Sequence, residues 1–518
     1  MEKQFRYDKN TAVAATDKGL IHGYEYDGMT IFKGIPYATA RRFHDPEPVK
    51  PWEGILETTG YGYICPLLDP ERPGSDLGTP HRIGVQNENC QNLNIWTPAC
   101  DDGKRPVLVW LHGGGFSAGS SMEMVAYEGA NICKYGQIVF VSVNHRLNVL
   151  GYCDLSEFGE EYKNSGNAGT SDMVAALQWI HSNIEAFGGD PNNVTIFGQS
   201  GGGMKVTALL QTPAADGLYH KGFIMSGVQG GACFDCVGSG RKMGEMMMEQ
   251  LGISSVKELE TVPFPQLVLA FKTMRSKLRP HKLNSGEAPC RNNFYAGDPL
   301  EVPFRKETAH IPLMIGTTFG EFNSFGVMGY DRASITEEQA RQAVEDKLGK
   351  DLADKAVPLF QKAYPHRSVI DLLGMDFMFR TYTLQYIAQR TKMNSAPIWD
   401  YLFDLDGPMY GGQLPPHCAD IPFVFHNTEL VPSTQEEGVT LRVEKQIFET
   451  VMAFVHTGNP NNPQIPSWTP DTAEHTHTLV IGKTASVQTD FDKELIKTLS
   501  SALLDDMVAG ILQKVARI

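Results

Sequence analysis

VTIFGQSGGGMKVTALL, Val194 to Leu210, is the stretch from which the fold can be read. Val194–Phe197 are strand formers, Gly198 ends the run, and apolar residues with helical spacing follow. Gly201, Gly202 and Gly203 stand where that helix begins, although each costs about 1 kcal/mol there relative to alanine. Two chemistries tolerate glycine at such a turn: a phosphate cradle, or a serine on a tight elbow. A phosphate loop needs Lys directly after its second glycine and then Ser or Thr. Met204, Lys205 and Val206 follow Gly203, so the near-match fails at both chemical positions. The elbow pattern G-x-S-x-G fits throughout as Gly198-Gln199-Ser200-Gly201-Gly202, with Ser200 as candidate nucleophile.

A nucleophilic serine needs donors for the oxyanion its attack creates. LHGGGF, Leu111 to Phe116, lies at the end of a predicted strand, Val107–Leu111. The N–H groups of Gly113 and Gly114, with that of Gly201, form the expected oxyanion hole. Further strands are predicted at Ile138–Val143, Gly222–Ser226, Ile311–Ile315 and Ile398–Phe403. They are mostly apolar, as strands buried on both faces are. Between them Met173, Ala176, Leu177, Ile180 and Ile184 share one face of a predicted helix, Ser171–Phe187. Asp190-Pro191-Asn192-Asn193 reads as a turn. The alternation predicts an α/β fold with a mostly parallel central sheet. The intervals 231–310 and 322–394 are rich in helix formers and charge. No linker-like stretch bounds them, so they read as helical insertions in a single domain spanning residues 1–518.

The net charge of −15 over 518 residues argues against a nucleic-acid partner, whose affinity rests on Lys and Arg neutralising phosphates. Apolar runs such as VLVWL and IVFVSV are too short to cross a bilayer, so no stable membrane association is expected. The first twenty residues lack the apolar core of a signal peptide. Nine cysteines are scattered, and Cys233 and Cys236 form a lone CxxC without a second pair, so no metal site is expected. Reduced thiols and a cytoplasmic location are the expectation.

The longer motifs carry a resemblance. FKGIPYA (Phe32–Ala38), ENCQNLNIWTP (Glu88–Pro98), HGGGF, SVNHRLNVLGY (Ser142–Tyr152), GNAGTSDMVAALQWI (Gly166–Ile180) and FGGDPNNVTIFGQS (Phe187–Ser200) resemble the type-B carboxylesterases of the α/β-hydrolase superfamily. GTTFGEF and HCADIPFVF match that family's acid and histidine motifs and give Glu321 and His417. The order Ser200, Glu321, His417 is the one this topology requires. The resemblance implies a serine carboxylesterase acting on small uncharged esters through an acyl-enzyme, without metal or cofactor. It further implies that Ser226 hydrogen-bonds the acid, that Glu88 and Arg146 form an ion pair, and that Cys65 and Cys90 match a disulfide of secreted relatives. His112 is expected to order the oxyanion loop. The alternative within the family is a catalytically silent, neuroligin-like adhesion or scaffold protein; such members typically lose the serine, which is present here. Gln199, where many relatives carry Glu, and Pro415, Pro416 and Cys418 around His417 depart from the family pattern.

One expectation about substrates follows. Choline esterases hold the quaternary ammonium on an aromatic face between the paired cysteines, helped by a glutamate before the serine. Here Pro66 to Asn89 contains no Trp, Tyr or Phe, and Gln199 is neutral. A desolvated cation–π contact contributes about 2 kcal/mol. Acetylthiocholine and its uncharged isostere 3,3-dimethylbutyl thioacetate are therefore expected to have similar kcat/KM at physiological ionic strength. A choline preference above about tenfold, roughly 1.4 kcal/mol, would reveal another aromatic cation site.

Overall fold

The computed structural model describes residues 3–69, 79–228, 230, 239–278, 281, 283–409 and 412–516. Cys233, Cys236 and part of the Pro66–Asn89 loop lie outside them. The main layer is a 12-stranded sheet. Its strands along the chain are β1 Phe5–Arg6, β2 Tyr24–Tyr26, β3 Met29–Pro36, β4 Asn92–Thr97, β5 Arg105–Leu111 and β6 Val139–Val143. They continue as β7 Gly189–Gln199, β8 Lys221–Met225, β9 Leu313–Thr318, β10 Ile398–Phe403, β11 His477–Ile481 and β12 Ala485–Thr489. In space they run β1-β2-β3-β4-β6-β5-β7-β8-β9-β10-β11-β12. From β6 to β11 neighbours are parallel; β1 to β4 and β12 add antiparallel margins. The expected mostly parallel sheet is present.

Every residue of β6, β8, β9 and β10 is buried, because successive side chains point to opposite faces and both faces are covered. Val107, Val109 and Leu111 join Met173, Leu177 and Ile180 of helix α1, Ala168–Asn183, on one side. Leu108, Trp110 and Phe197 join Val443, Ile447 and Val451 of the helix Thr440–Thr457 on the other. The intervals read as insertions hold helices Arg241–Leu251 and Phe264–Leu278 before β9, and Glu337–Leu348, Lys350–Ala363 and Met378–Thr391 before β10.

Local differences from the sequence reading have physical causes. The Asp190–Asn193 turn does form its side-chain bond, Asn192 N–H to Asp190 Oδ1 at 2.9 Å. It does so inside β7, as a bulge between the pairs Arg105↔Gly189 and Val107↔Val194. β9 begins at Leu313 rather than Ile311, since Pro312 has no N–H for a ladder, and it runs on to Thr318. Ser226 leaves β8 with φ 45°. The expected Glu88–Arg146 pair is replaced by two others. Arg146 forks onto Asp172 of α1 at 2.7 and 2.8 Å, both fully buried, and Glu88 accepts from Arg42 Nε at 3.0 Å. A guanidinium fork takes whichever carboxylate is presented in plane, and the placement of α1 presents Asp172. Cys65 and Cys90 are buried, adjacent free thiols; burial, then the neighbouring Cys65, pushes the Cys90 thiol well up.

The glycines of the elbow are explained by contact. Helix α2, Gly201–Leu210, starts wedged between the loop after β5 and the end of β8. A β-carbon on Gly202 would run into the Leu111 carbonyl oxygen, one on Gly201 into the backbone of Gly115, and one on Gly203 would lie 2.7 Å from Gly227 Cα. Helix propensity alone expects Gly202→Ala to stabilise by about 1 kcal/mol. The clash reverses the sign, to a net loss of about 2 kcal/mol or more. Thermal unfolding against Gly60→Ala, a position with open space for a β-carbon, checks this; a Gly202→Ala protein at least as stable as wild type would contradict it.

Candidate active site

Parallel strands deliver their carboxyl ends to one edge of a sheet, where α/β sites are built. Ser200 follows β7, His112–Phe116 follow β5, Ser226 follows β8 and Glu321 lies three residues beyond β9. Ser200 has φ 58° and ψ −126°, a conformation L-residues avoid unless the surroundings hold it. Two bonds hold it. Its N–H donates to the Met225 carbonyl at 2.8 Å, and its carbonyl accepts from Met204 N–H at 3.0 Å. The serine thereby caps α2, where the positive end of the helix dipole lies.

Glu321, also at positive φ (43°), is fully buried. Its Oε1 accepts from Ser226 Oγ at 2.6 Å and from Thr318 N–H at 2.8 Å, and its Oε2 is hydrogen-bonded to His417 Nδ1. The His417 backbone N–H donates to the Glu321 carbonyl at 3.2 Å. Phe322 lies against the imidazole at a ring separation of 4.2 Å and Phe379 at 5.3 Å. With Nδ1 committed to the carboxylate, Nε2 is left as the acceptor. Two neighbouring buried carboxyls are held toward their neutral forms by burial and by the Glu321 charge: Asp376 is pushed up to about 8 and Asp420 to about 6. A bond from the Tyr401 hydroxyl at 2.7 Å offsets part of the Asp420 shift.

The two departures around the serine and histidine turn out to be partners. Gln199 Nε2 lies 3.3 Å from His417 Nε2, and Gln199 Oε1 accepts from the Cys418 thiol at 3.1 Å. Among the described residues the Ser200 hydroxyl makes no hydrogen bond to the ring, and the Gln199 amide nitrogen, also 3.5 Å from Nδ1, lies beside the imidazole rather than along the Nε2 lone pair. Catalytic hydrogen bonds in substrate-free sites are often long and tighten when substrate binds. Sequence reasoning flagged both departures separately and missed their contact.

The oxyanion loop is pinned by its carbonyls. Lys205 Nζ donates to the His112 carbonyl at 2.8 Å, His112 Nδ1 is 2.9 Å from the Gly113 carbonyl, and the Gly114 carbonyl accepts from Ser117 N–H at 3.2 Å and Ala118 N–H at 3.0 Å. His112 thereby ties its own ring to the next peptide of the loop. The carbonyl and N–H of a trans peptide point oppositely, so the Gly114 and Gly115 N–H groups face away from those anchors. Neither they nor the Gly201 N–H donate a backbone hydrogen bond among the described residues. The Gly113 backbone lies near the buried Tyr127 hydroxyl: burial pushes that group's ionisation well up, and the Gly113 backbone offsets a small part of the shift. The missing side chain at Gly113 gives room beside Gln199 and Ser200, and the Gly115 nitrogen packs against Gly201. The third glycine of HGGGF was the signal for Gly115. Among the described residues no group of three or more His, Cys, Asp or Glu is placed to hold a metal ion.

Comparison with known proteins finds relatives along nearly the whole chain. The profile of the carboxylesterase family matches residues 10–498. The chain is similar to a para-nitrobenzyl esterase of Bacillus subtilis, 32% identical over 93% of this chain and 97% of that one. It is also similar to a phenmedipham hydrolase of Pseudarthrobacter oxydans, 30% identical over 91% and 95%. Among solved structures, an esterase from the anaerobe Clostridium hathewayi that can hydrolyse aliphatic aromatic polyesters superposes with a TM-score of 0.94. It is 43% identical and covers 97% of this chain and 100% of its own. A para-nitrobenzyl esterase structure superposes with a TM-score of 0.74 at 30% identity, over 94% and 99%.

Proposed function

The chain belongs to the carboxylesterase family, has the α/β-hydrolase fold and is a carboxylic ester hydrolase; on that premise we propose that it cleaves small uncharged esters through an acyl-Ser200 intermediate. The observation that carries the proposal is the buried chain Ser226–Glu321–His417 beside a serine held at positive φ. Ser200 Oγ attacks the ester carbonyl carbon while His417 Nε2 takes its proton. Glu321 fixes the imidazole tautomer and stabilises the imidazolium, with Ser226 holding the carboxylate. The oxyanion is received by the N–H groups of Gly201, Gly114 and Gly115, with Gly113 providing space rather than a donor. The alkoxide leaves with the proton from His417, and water repeats the sequence to free the acid. Likeness to a polyester-cleaving esterase, and the half-exposed Phe322 beside His417, support including aromatic esters among the substrates. The assembled side chains and the hydrolases among the relatives leave the adhesion reading without support. The chain is read as one domain with two helical insertions, acting in the cytoplasm; no helix among the described residues is long and apolar enough to cross a membrane.

Ser200→Ala is expected to abolish labelling by a fluorophosphonate and to lower turnover by about 10⁴-fold or more. His417→Ala should be nearly as damaging and Glu321→Gln somewhat less so. Stoichiometric labelling of the Ser200→Ala variant would identify another nucleophile.

For the compartment, alkylation of freshly purified, unfolded protein is expected to find all nine cysteines free. A Cys65–Cys90 bridge in that material would place the protein in an oxidising environment instead.

A further inference from the structure

Lys205 takes no part in the acyl transfer above, yet its side chain is fully buried on α2, in the helix that begins at the nucleophile. An ammonium carries three donors. Among the described residues only one hydrogen bond is made, to the His112 carbonyl oxygen at 2.8 Å, and no carboxylate lies within ion-pair distance. The groups that feel its charge are Glu123, Cys65 and the imidazoles of His112 and His145, which stack 5.1 Å apart. Burial and then the lysine charge push both imidazoles well down, burial pushes Glu123 up, and burial brings Lys205 itself down to about 7. A buried cation with a single neutral acceptor is an expensive way to stabilise a fold; an apolar side chain of the same volume usually does as well or better. A role beyond stability is therefore indicated.

The geometry supplies that role. The peptide joining His112 to Gly113 is trans, as are all among the described residues. A cation on its carbonyl therefore fixes its N–H on the opposite side. That peptide is the first of the loop, and the orientations of the Gly114 and Gly115 N–H groups build on it. We propose that Lys205 is a positioning residue for the oxyanion loop: its ammonium fastens the loop to the helix carrying Ser200 and Gly201, so that donors from two segments form one preorganised set, and it adds positive field where the oxyanion develops. Preorganised donors and fixed charge in a water-excluded site act on the transition state more than on the bound ester. The inference rests on the reading of Gly114, Gly115 and Gly201 as oxyanion donors.

The test is Lys205→Met, which keeps length and removes charge and donor. Three quantities are measured: kcat and KM for 4-nitrophenyl acetate, the melting temperature, and inhibition by an aryl trifluoromethyl ketone. Ser200 Oγ adds to the ketone carbon as its proton passes to His417, leaving a hemiketal oxyanion in the hole. The expected result is a kcat lower by roughly ten- to a hundredfold, less than loss of a whole oxyanion donor. KM should stay within about threefold, the ketone inhibition constant should rise by a factor similar to the loss in kcat, and the melting temperature should not fall. Lys205→Gln, which keeps a neutral N–H donor, should recover part of the loss. Values of kcat and ketone inhibition within about threefold of wild type in Lys205→Met would overturn the proposal. So would a joint change of KM and kcat with a lower melting temperature, or failure of both variants to fold, since each makes Lys205 a structural group. A Ser200→Ala protein that still forms the ketone adduct would instead overturn the acyl-enzyme reading and leave the Lys205 contact to be explained otherwise.

Discussion

Between the backbone at Gly202 and the Leu111 carbonyl there is no room for a β-carbon, and the site depends on that closeness. The head of α2 must enter the angle between the ends of β5 and β8 for Ser200 to stand clear of the sheet. Glycine lowers helix propensity by about 1 kcal/mol per position, but any side chain would push the helix off the strands. The same closeness brings Gly201 against Gly115, so donors from the elbow and from the loop after β5 converge without a side chain between them. The positive φ of Ser200 follows from it: the chain must reverse from strand to helix within one residue, and bonds to Met225 and Met204 hold it there.

The imidazole is organised by a different means, burial with directed bonds. Glu321 has each oxygen assigned, one to Ser226 and Thr318 and the other to His417. Nearby carboxyls at Asp376 and Asp420 are held toward their neutral forms, which limits competing negative charge around the ring. The Gln199 amide lies beside the ring, close to both of its nitrogens. Cys418 braces that amide from the histidine loop, so the replacement of an acid before the serine and the unusual residue after the histidine form one local arrangement. A neutral amide there removes a negative charge that would otherwise sit beside the nucleophile.

Buried charge elsewhere follows pairing rules. Arg146 and Asp172 meet in a two-bond fork, and Arg380 is shared between Asp400 and Asp492, so each guanidinium is matched by carboxylate oxygens. Two buried cations depart from this among the described residues: the Arg390 guanidinium donates only to the Thr308 and Ile311 carbonyls, and Lys205 meets a single carbonyl. Desolvation without a counter-charge is tolerated in proteins chiefly where the field has a use, and the place of Lys205 behind the oxyanion loop gives one.

Much of this was legible in the chain itself. Gly198 to Gly202 and the HGGGF run carry local constraints, a strained turn and exposed N–H groups, that depend on residue type at fixed spacing. Continuous apolar runs reported the parallel strands for the same reason: a strand covered on both faces can place few polar groups. What the sequence could not determine were choices among equivalent partners. Glu88 or Asp172 could each satisfy Arg146, and Gly113, Gly114 or Gly115 could each offer an N–H. The bulge at Asp190–Asn193, the contact of Gln199 with His417 and the anchoring of His112 by Lys205 depend on distances between segments far apart in the chain. Such pairings are selected by packing, since hydrogen bonds and ion pairs act only within a few ångströms and only the folded backbone brings those groups that close.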